Sequence, residues 1–233
     1  MKVLIFGATG LTGIELVRQI RDHALVTEIH IAARTKPKNI EPSDKLKLHL
    51  INFNSKEAIH DLITSAHFDY IYCALGTTIK KTGSKEAFKA IDVDLISLIG
   101  SEALYHSSAN AFCFISAIGA DISSKFFYNH CKGLTEQNLI QTMQHSSTQN
   151  RLIICRPSLL TGNRDEFRLG ENISAIMSRV LPFVFKGPFK QYRPIACDTV
   201  AAAIIKETLD APLAEKPLIS VLENTDLHAL GSL

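Results

Sequence analysis

Gly7-Ala8-Thr9-Gly10-Leu11-Thr12-Gly13 follows directly on the apolar run Lys2-Val3-Leu4-Ile5-Phe6 and leads into a stretch with apolar residues at Leu11, Ile14, Leu16, Val17 and Ile20. A short buried-strand run, a glycine turn and an amphipathic helix, in that order, are the context in which three glycines acquire chemical meaning. One permits the tight bend, one lets the backbone approach a pyrophosphate, and one lets the helix lie close to the sheet. The helix N-terminus presents unpaired N–H groups and a partial positive charge to the phosphates. Gly7, Thr9, Gly10, Leu11, Thr12 and Gly13 are therefore expected to cradle a dinucleotide. The bland alternative is an ordinary strand-to-helix turn.

Outward from this loop the same alternation continues. Apolar runs predict strands over 2–6, 27–33, 45–51, 69–74, 111–116 and 151–156. Helical periodicity predicts helices over 11–22, 55–63, 85–107 and 125–145, with Ser55 as an N-cap. Nearly all-apolar strands alternating with helices mean a parallel sheet covered on both faces. The expected fold is α/β, a Rossmann-type doubly wound sheet, as one domain over 1–233. After Ser158 the alternation weakens. A charged run, a helix over 172–181 and the punctuating Pro182, Pro188 and Pro194 suggest a small C-terminal substrate lobe over 159–197. A helix over 198–209 and a strand over 217–222 complete the prediction.

The 233 residues suit one large domain, and 46% hydrophobic residues suffice for a core without staples. A net charge of +2 offers no reason to expect nucleic acid or an anionic membrane as partner. The apolar start is too brief for a secretory signal, and no run approaches the roughly 18 apolar residues of a bilayer span. These features predict a cytoplasmic protein. The five cysteines are odd in number, widely spaced and without C-x-x-C, and the nine histidines show no ligand spacing, so no metal is expected. Cys73, Cys113 and Cys155 fall in strand runs and read as small core hydrophobes.

The loop spacing is G-x-x-G-x-x-G. A site specific for NAD usually ends its second strand in an acidic residue that binds the ribose hydroxyls. Here the strand Ile29-His30-Ile31-Ala32-Ala33 ends in Arg34. A guanidinium suits a 2′-phosphate, so NADP(H) is expected over NAD(H). The alternative is a solvated surface arginine.

Ser116 ends the fifth strand; Tyr128 follows, and Lys132 stands four residues further on. On a helix, i and i+4 share a face. An ammonium beside a phenol stabilises the phenolate, and such a tyrosine can give a proton to a carbonyl oxygen as hydride reaches carbon, or remove one in reverse. Ser116 could hydrogen-bond the same oxygen. Ligands bind at the carboxyl ends of strands in such sheets, which is where this set falls. The alternative makes Tyr128 a packing residue beside Phe126 and Phe127, and Lys132 a solvated face.

These residues resemble the atypical branch of the short-chain dehydrogenase/reductase superfamily. The similarity is nearer to its Tat-interacting-protein (TIP30)-like, NAD(P)-binding and epimerase-like proteins. It is carried by the glycine loop, Cys73-Ala74-Leu75-Gly76-Thr77-Thr78, Ser116-Ala117-Ile118-Gly119-Ala120-Asp121, Phe127-Tyr128 with Lys132-Gly133, Arg156-Pro157-Ser158 and the run from Arg164 to Glu171. The resemblance implies that Leu75, Gly76 and Thr77 line the ribose and nicotinamide side. It implies that Pro157 and Ser158 lie near the nicotinamide, and that Lys132 binds its ribose as well as tuning Tyr128. Relatives often carry an acidic residue before the phenylalanine that follows strand three; here the pair is Asn52-Phe53, with Asn52 able to meet an adenine edge. Near Asp92 extended relatives carry a supporting asparagine; a helix-face carboxylate is the other reading. His130 is expected to face solvent.

Two functions follow as expectations. One is an NADPH-dependent oxidoreductase acting on a small carbonyl or alcohol, or an epimerase using the same hydride chemistry. The other is an NADPH-binding module with a regulatory protein partner and little turnover. A homodimer through two long helices would be usual for the superfamily.

Overall fold

The computed structural model describes residues 1–146, 148, 150–162, 187–210 and 216–232. The run from Arg164 to Glu171, the expected helix over 172–181, Pro182 and most of the substrate lobe lie outside the described residues.

Seven parallel strands form one sheet: β1 (Lys2–Phe6), β2 (Glu28–Ala33), β3 (Leu46–Leu50), β4 (Tyr70–Cys73), β5 (Ala111–Ile115), β6 (Arg151–Arg156) and, late in the chain, β9 (Ile219–Glu223). Their order is β3-β2-β1-β4-β5-β6-β9, a doubly wound Rossmann arrangement. The reversal of strand order falls between β1 and β4, whose register pairs Phe6 with Cys73. That switch point opens a crevice at the carboxyl ends of the strands.

The helices divide between two faces. On one, α1 (Leu11–Arg21) and α7 (Cys197–Thr208) bury Leu16, Val17, Ile20, Val200 and Ile204 against β1, β2, β4, β5 and β6. On the other, α2 (Lys56–Thr64), α5 (Ile96–His106) and α6 (Phe127–His145) bury Ile59, Ile99 and Leu139 against Leu4, Phe6, Phe112 and Ile154. The central strands β1, β4, β5 and β6 are apolar on both sides because both sides are covered, while the edge strand β3 is largely exposed. Ser55 caps α2 as expected, its hydroxyl accepting the Ala58 N–H at 3.1 Å.

Four local features differ from the periodicity reading. The segment read as one long helix over 85–107 is α4 (Lys85–Lys89), a π-helical turn (Ala90–Leu95) and α5. Apolar spacing alone does not register one widened turn. A short α3 (Ile79–Thr82) follows the β4 loop, its Thr78 cap accepting from the Lys81 N–H. After β9 the chain continues into α8 (Asn224–Gly231), opened by a reciprocal capping box between Glu223 and Asp226. Finally, β7 (Leu160–Thr161) pairs with β8 (Ile195–Ala196), which brings together the two ends of the segment assigned to the lobe. Among the described residues no helix is long and apolar enough to cross a membrane.

Candidate active site

The glycine turn has the geometry a phosphate cradle needs. Gly7 adopts φ +83°, and a Cβ there would sit 2.5 Å from the backbone of Ala74 and Leu75. A Cβ on Gly13 would overlap the Gly7 carbonyl oxygen. These two glycines let α1 and the β4 loop press against the turn, and no side chain can replace either without displacing backbone. Gly10 is the N-cap of α1 and makes no side-chain cap, so the first N–H groups of the helix are left for a ligand. Thr9 is exposed at the tip of the turn, while Leu11 is half-buried and Thr12 buried where the helix begins. The loop thus fits a bound pyrophosphate on the evidence of its own backbone.

The other predicted cofactor contacts follow the carboxyl ends of the strands. Ala74 donates to the Phe6 carbonyl at 2.9 Å, which lays the Leu75-Gly76-Thr77 loop beside the glycine turn. Arg34 is exposed directly after β2, and among the described residues its guanidinium makes no hydrogen bond or ion pair. Phe53 packs beside Phe6, ring centroids 6.2 Å apart. Asn52 is exposed, and its side-chain oxygen accepts from the Asn54 N–H at 3.0 Å, closing the turn before α2.

The core of the site is a buried ion pair. Lys132, on α6, is 3% exposed, and its Nζ lies 2.9 Å from Oδ1 of the fully buried Asp92 in the π-helical turn. The other Asp92 oxygen accepts the Thr77 N–H at 2.8 Å. The Asp92 carbonyl takes the Thr135 hydroxyl at 2.7 Å. One carboxylate therefore joins the β4 loop, the π-helical turn and α6. A Cβ on Gly76 would come to 3.7 Å from Asp92 and 4.0 Å from Lys132, so this glycine leaves the pair open on the crevice side. Burial pulls the Lys132 ammonium downward; the Asp92 charge and then Tyr128 outweigh it, and the net shift is upward. The lysine therefore stays charged.

Tyr128 stands one turn before Lys132, 42% exposed, with Nζ 6.0 Å from its ring centre and Phe88 6.0 Å away on another side. Phe127, not Tyr128, carries more of the apolar packing, in a small cluster with Phe88, Val93 and Cys131.

Ser116 departs from its expected role. It is 4% exposed, and its hydroxyl donates to Glu136, another turn along α6. Glu136 is in turn held by Arg156 at 3.1 and 2.6 Å, and Arg156 also reaches Glu223 at 2.8 Å. The hydroxyl is thus committed to a buried carboxylate beneath the site, not directed at a substrate oxygen. Ser158 is likewise engaged: its hydroxyl donates to the Arg193 carbonyl, and its N–H donates to the buried Asn224 side chain at 2.9 Å. Pro157 is buried, its carbonyl accepting from Ile118 at 2.9 Å. His130 is half-buried rather than solvent-facing, bonded to the Ile122 carbonyl at 2.7 Å.

Sequence reasoning missed the Glu136–Arg156–Glu223 array. The available signal was spacing: Tyr128, Lys132 and Glu136 recur at i, i+4 and i+8, one stripe on α6.

A sequence model of the NAD dependent epimerase/dehydratase family matches residues 3–194. Among curated proteins the chain is similar to protein FMP52, mitochondrial, of Candida albicans, 33% identical over 178 residues that cover 75% of this chain and 74% of that protein. Protein FMP52-1, mitochondrial, of Scheffersomyces stipitis is 26% identical over 237 residues, covering 99% and 98%. Among solved structures, a UDP-glucuronic acid 4-epimerase from Bacillus cereus in complex with NAD is 13% identical, with TM-score 0.67, covering 95% of this chain and 76% of that one. A UDP-Glc/GlcNAc 4-epimerase from Campylobacter jejuni is 14% identical, with TM-score 0.70, covering 98% and 82%. At such identities the solved structures speak to the fold.

The relatives' names overturn the cytoplasmic compartment expected from sequence, since those proteins are called mitochondrial. Apolar run length reports on secretion and bilayer spanning; an organelle address is read by receptors and leaves no such run. The family match begins within β1 and ends one residue short of β8, so it takes in the glycine turn, the Asp92–Lys132 pair and Tyr128: the chain belongs to the NAD dependent epimerase/dehydratase family.

Proposed function

We propose that this protein is an NADPH-dependent oxidoreductase acting on a small carbonyl or alcohol, with Tyr128 as its acid/base. The observation that carries this reading is the buried Lys132–Asp92 pair one turn from an exposed tyrosine. A nicotinamide bound in the crevice would supply the hydride chemistry. In the reducing direction Tyr128 gives its proton to the substrate oxygen as the carbonyl carbon is reduced, leaving a phenolate that the Lys132 ammonium stabilises. Asp92 keeps that ammonium charged and fixed, and through Thr77 it also fixes the loop expected along the nicotinamide ribose. The proposed preference for NADPH rests on Arg34, an exposed guanidinium at the end of β2 with no acidic neighbour on that strand end.

The position of Ser116 supports a second reading. With its hydroxyl on Glu136, the set lacks the second donor expected at a substrate oxygen. A cofactor-gated binding module with a protein partner and little turnover needs only the crevice.

Titration with NADPH and NADH, followed by nicotinamide fluorescence, tests the cofactor. The expected result is tighter NADPH binding by about tenfold, near 1.4 kcal/mol, abolished by Arg34→Ala. Equal affinities would discard the preference. A carbonyl screen with NADPH then tests turnover, and Tyr128→Phe is expected to abolish any rate found while keeping cofactor affinity. An unaffected rate in that variant removes Tyr128 from the chemistry. Absence of turnover, together with a protein partner whose affinity changes with NADPH, selects the binding module.

A further inference from the structure

Four carboxylates are buried among the described residues: Asp92, Glu102, Glu136 and Glu207. Three have a close, fixed counter-charge. Asp92 has Lys132 at 2.9 Å, Glu136 has Arg156 at 2.6 Å, and Glu207 has Arg151 at 2.9 Å as well as Lys216. Glu102 differs. Its side chain is 4% exposed, yet its one permanently charged neighbour is Lys56, 3.4 Å away and 66% exposed. Its remaining partners are imidazoles, which carry no charge in their neutral form. His60 Nδ1 is 2.8 Å from Oε2 and His106 Nε2 is 3.7 Å from the same oxygen. This buried carboxylate thus has one exposed ammonium and two imidazoles around it, and no buried cationic partner of the kind the other three have.

The three side chains come from two packed helices. His60 lies on α2; Glu102 and His106 lie one turn apart on α5. The two rings are 5.1 Å apart and nearly perpendicular, and one ligand atom from each of the three residues falls within 4.8 Å of the others. Tetrahedral bonds of 2.0–2.1 Å place ligand atoms about 3.3 Å apart. The separations at Glu102 bracket that value, and both imidazoles are half-exposed, so small rotations suffice to close the set. Two imidazole nitrogens and a carboxylate oxygen suit zinc, with a fourth position left to water.

We propose that His60, Glu102 and His106 form a site for a zinc-like divalent cation that fastens α2 to α5. The cation would give Glu102 a buried counter-charge in place of the exposed Lys56 ammonium. The site is separate from the cofactor crevice: Glu102 lies ten residues beyond Asp92 on the same helical run, about 15 Å of helix. The histidines showed no ligand spacing along the chain because His60 arrives from a different helix.

The test is calorimetric titration of the full chain, first treated with chelator, with zinc chloride, alongside thermal melts. One equivalent should bind and raise the unfolding temperature, since the three donors converge only in the folded state. His60→Ala, His106→Ala and Glu102→Gln should each weaken binding at least tenfold. The first two remove half-exposed rings, and the third preserves shape, so the fold is retained and circular dichroism checks it. His67→Ala, outside the set, should bind like the parent. Lys56→Met, which removes the competing ammonium, should bind more tightly. Absence of saturable binding, or binding that survives in the His60 and His106 variants, overturns the site; a Lys56→Met chain that binds no more tightly overturns Glu102 as its anchor.

Discussion

Replacing Asp92 with alanine would leave the Lys132 ammonium buried without its counter-ion. The nearest remaining polar contact of Nζ is the Ile115 carbonyl at 3.5 Å, too long to compensate a full charge. Breaking a buried pair by removing one partner costs about 3–5 kcal/mol. The Thr77 N–H loses its acceptor in the same variant. For a chain of this length each kcal/mol is worth about 2–4 °C in melting temperature, so Asp92→Ala should melt about 6–20 °C lower. Asp92→Asn keeps an acceptor for Thr77 and should lose less. The double variant Asp92→Asn/Lys132→Met removes both charges at similar volume. Replacing a buried pair with uncharged groups is often close to neutral, so this variant should recover most of the loss. Thermal melts and urea unfolding of the parent, Asp92→Asn, Lys132→Met and the double variant form a complete cycle. A shift below about 2 °C in Asp92→Ala, or a double variant as unstable as the sum of the singles, would falsify the claim that this pair organises the site.

Three further outcomes follow from the same geometry. Gly13→Ala sets a methyl against the Gly7 carbonyl, so it should cost about 2 kcal/mol or more through backbone displacement and abolish dinucleotide binding; a variant that binds NADPH like the parent would contradict the cradle. The Lys132 value is raised above the ordinary 10.5 in the folded chain, with burial opposing and Asp92 and Tyr128 prevailing. Its contribution to stability is therefore complete below pH 10.5 and lost as pH climbs through the raised folded value, and Lys132→Met should lack this alkaline limb in pH-dependent unfolding. All five cysteines are buried, and burial pushes Cys73 up to about 12; thiol reagents at pH 8 should react only after denaturant is added, and a rapidly modified thiol in the folded protein would be inconsistent with this core.

What the sequence determined by itself was whatever depends on neighbours along the chain. All seven strands of the sheet, the main helices between them and the glycine turn were legible because apolar period, capping serines and turn glycines act over a few residues. The last helix was missed because its start is a capping box without Ser or Thr, Glu223 with Asp226. Tyr128 and Lys132 were legible as a pair because i and i+4 share a helix face in any fold. Only the tertiary structure decided what those faces meet. Asp92 is forty residues from Lys132 and became its counter-ion because α6 packs against the π-helical turn. Ser116 stands at the carboxyl end of β5, as its position in the sequence required. The burial of Glu136 and the reach of Arg156 from β6 then drew its hydroxyl beneath the site. Each of these is a choice between partners distant in sequence, settled by which charge had to be buried and which opposite charge the packing could bring to it.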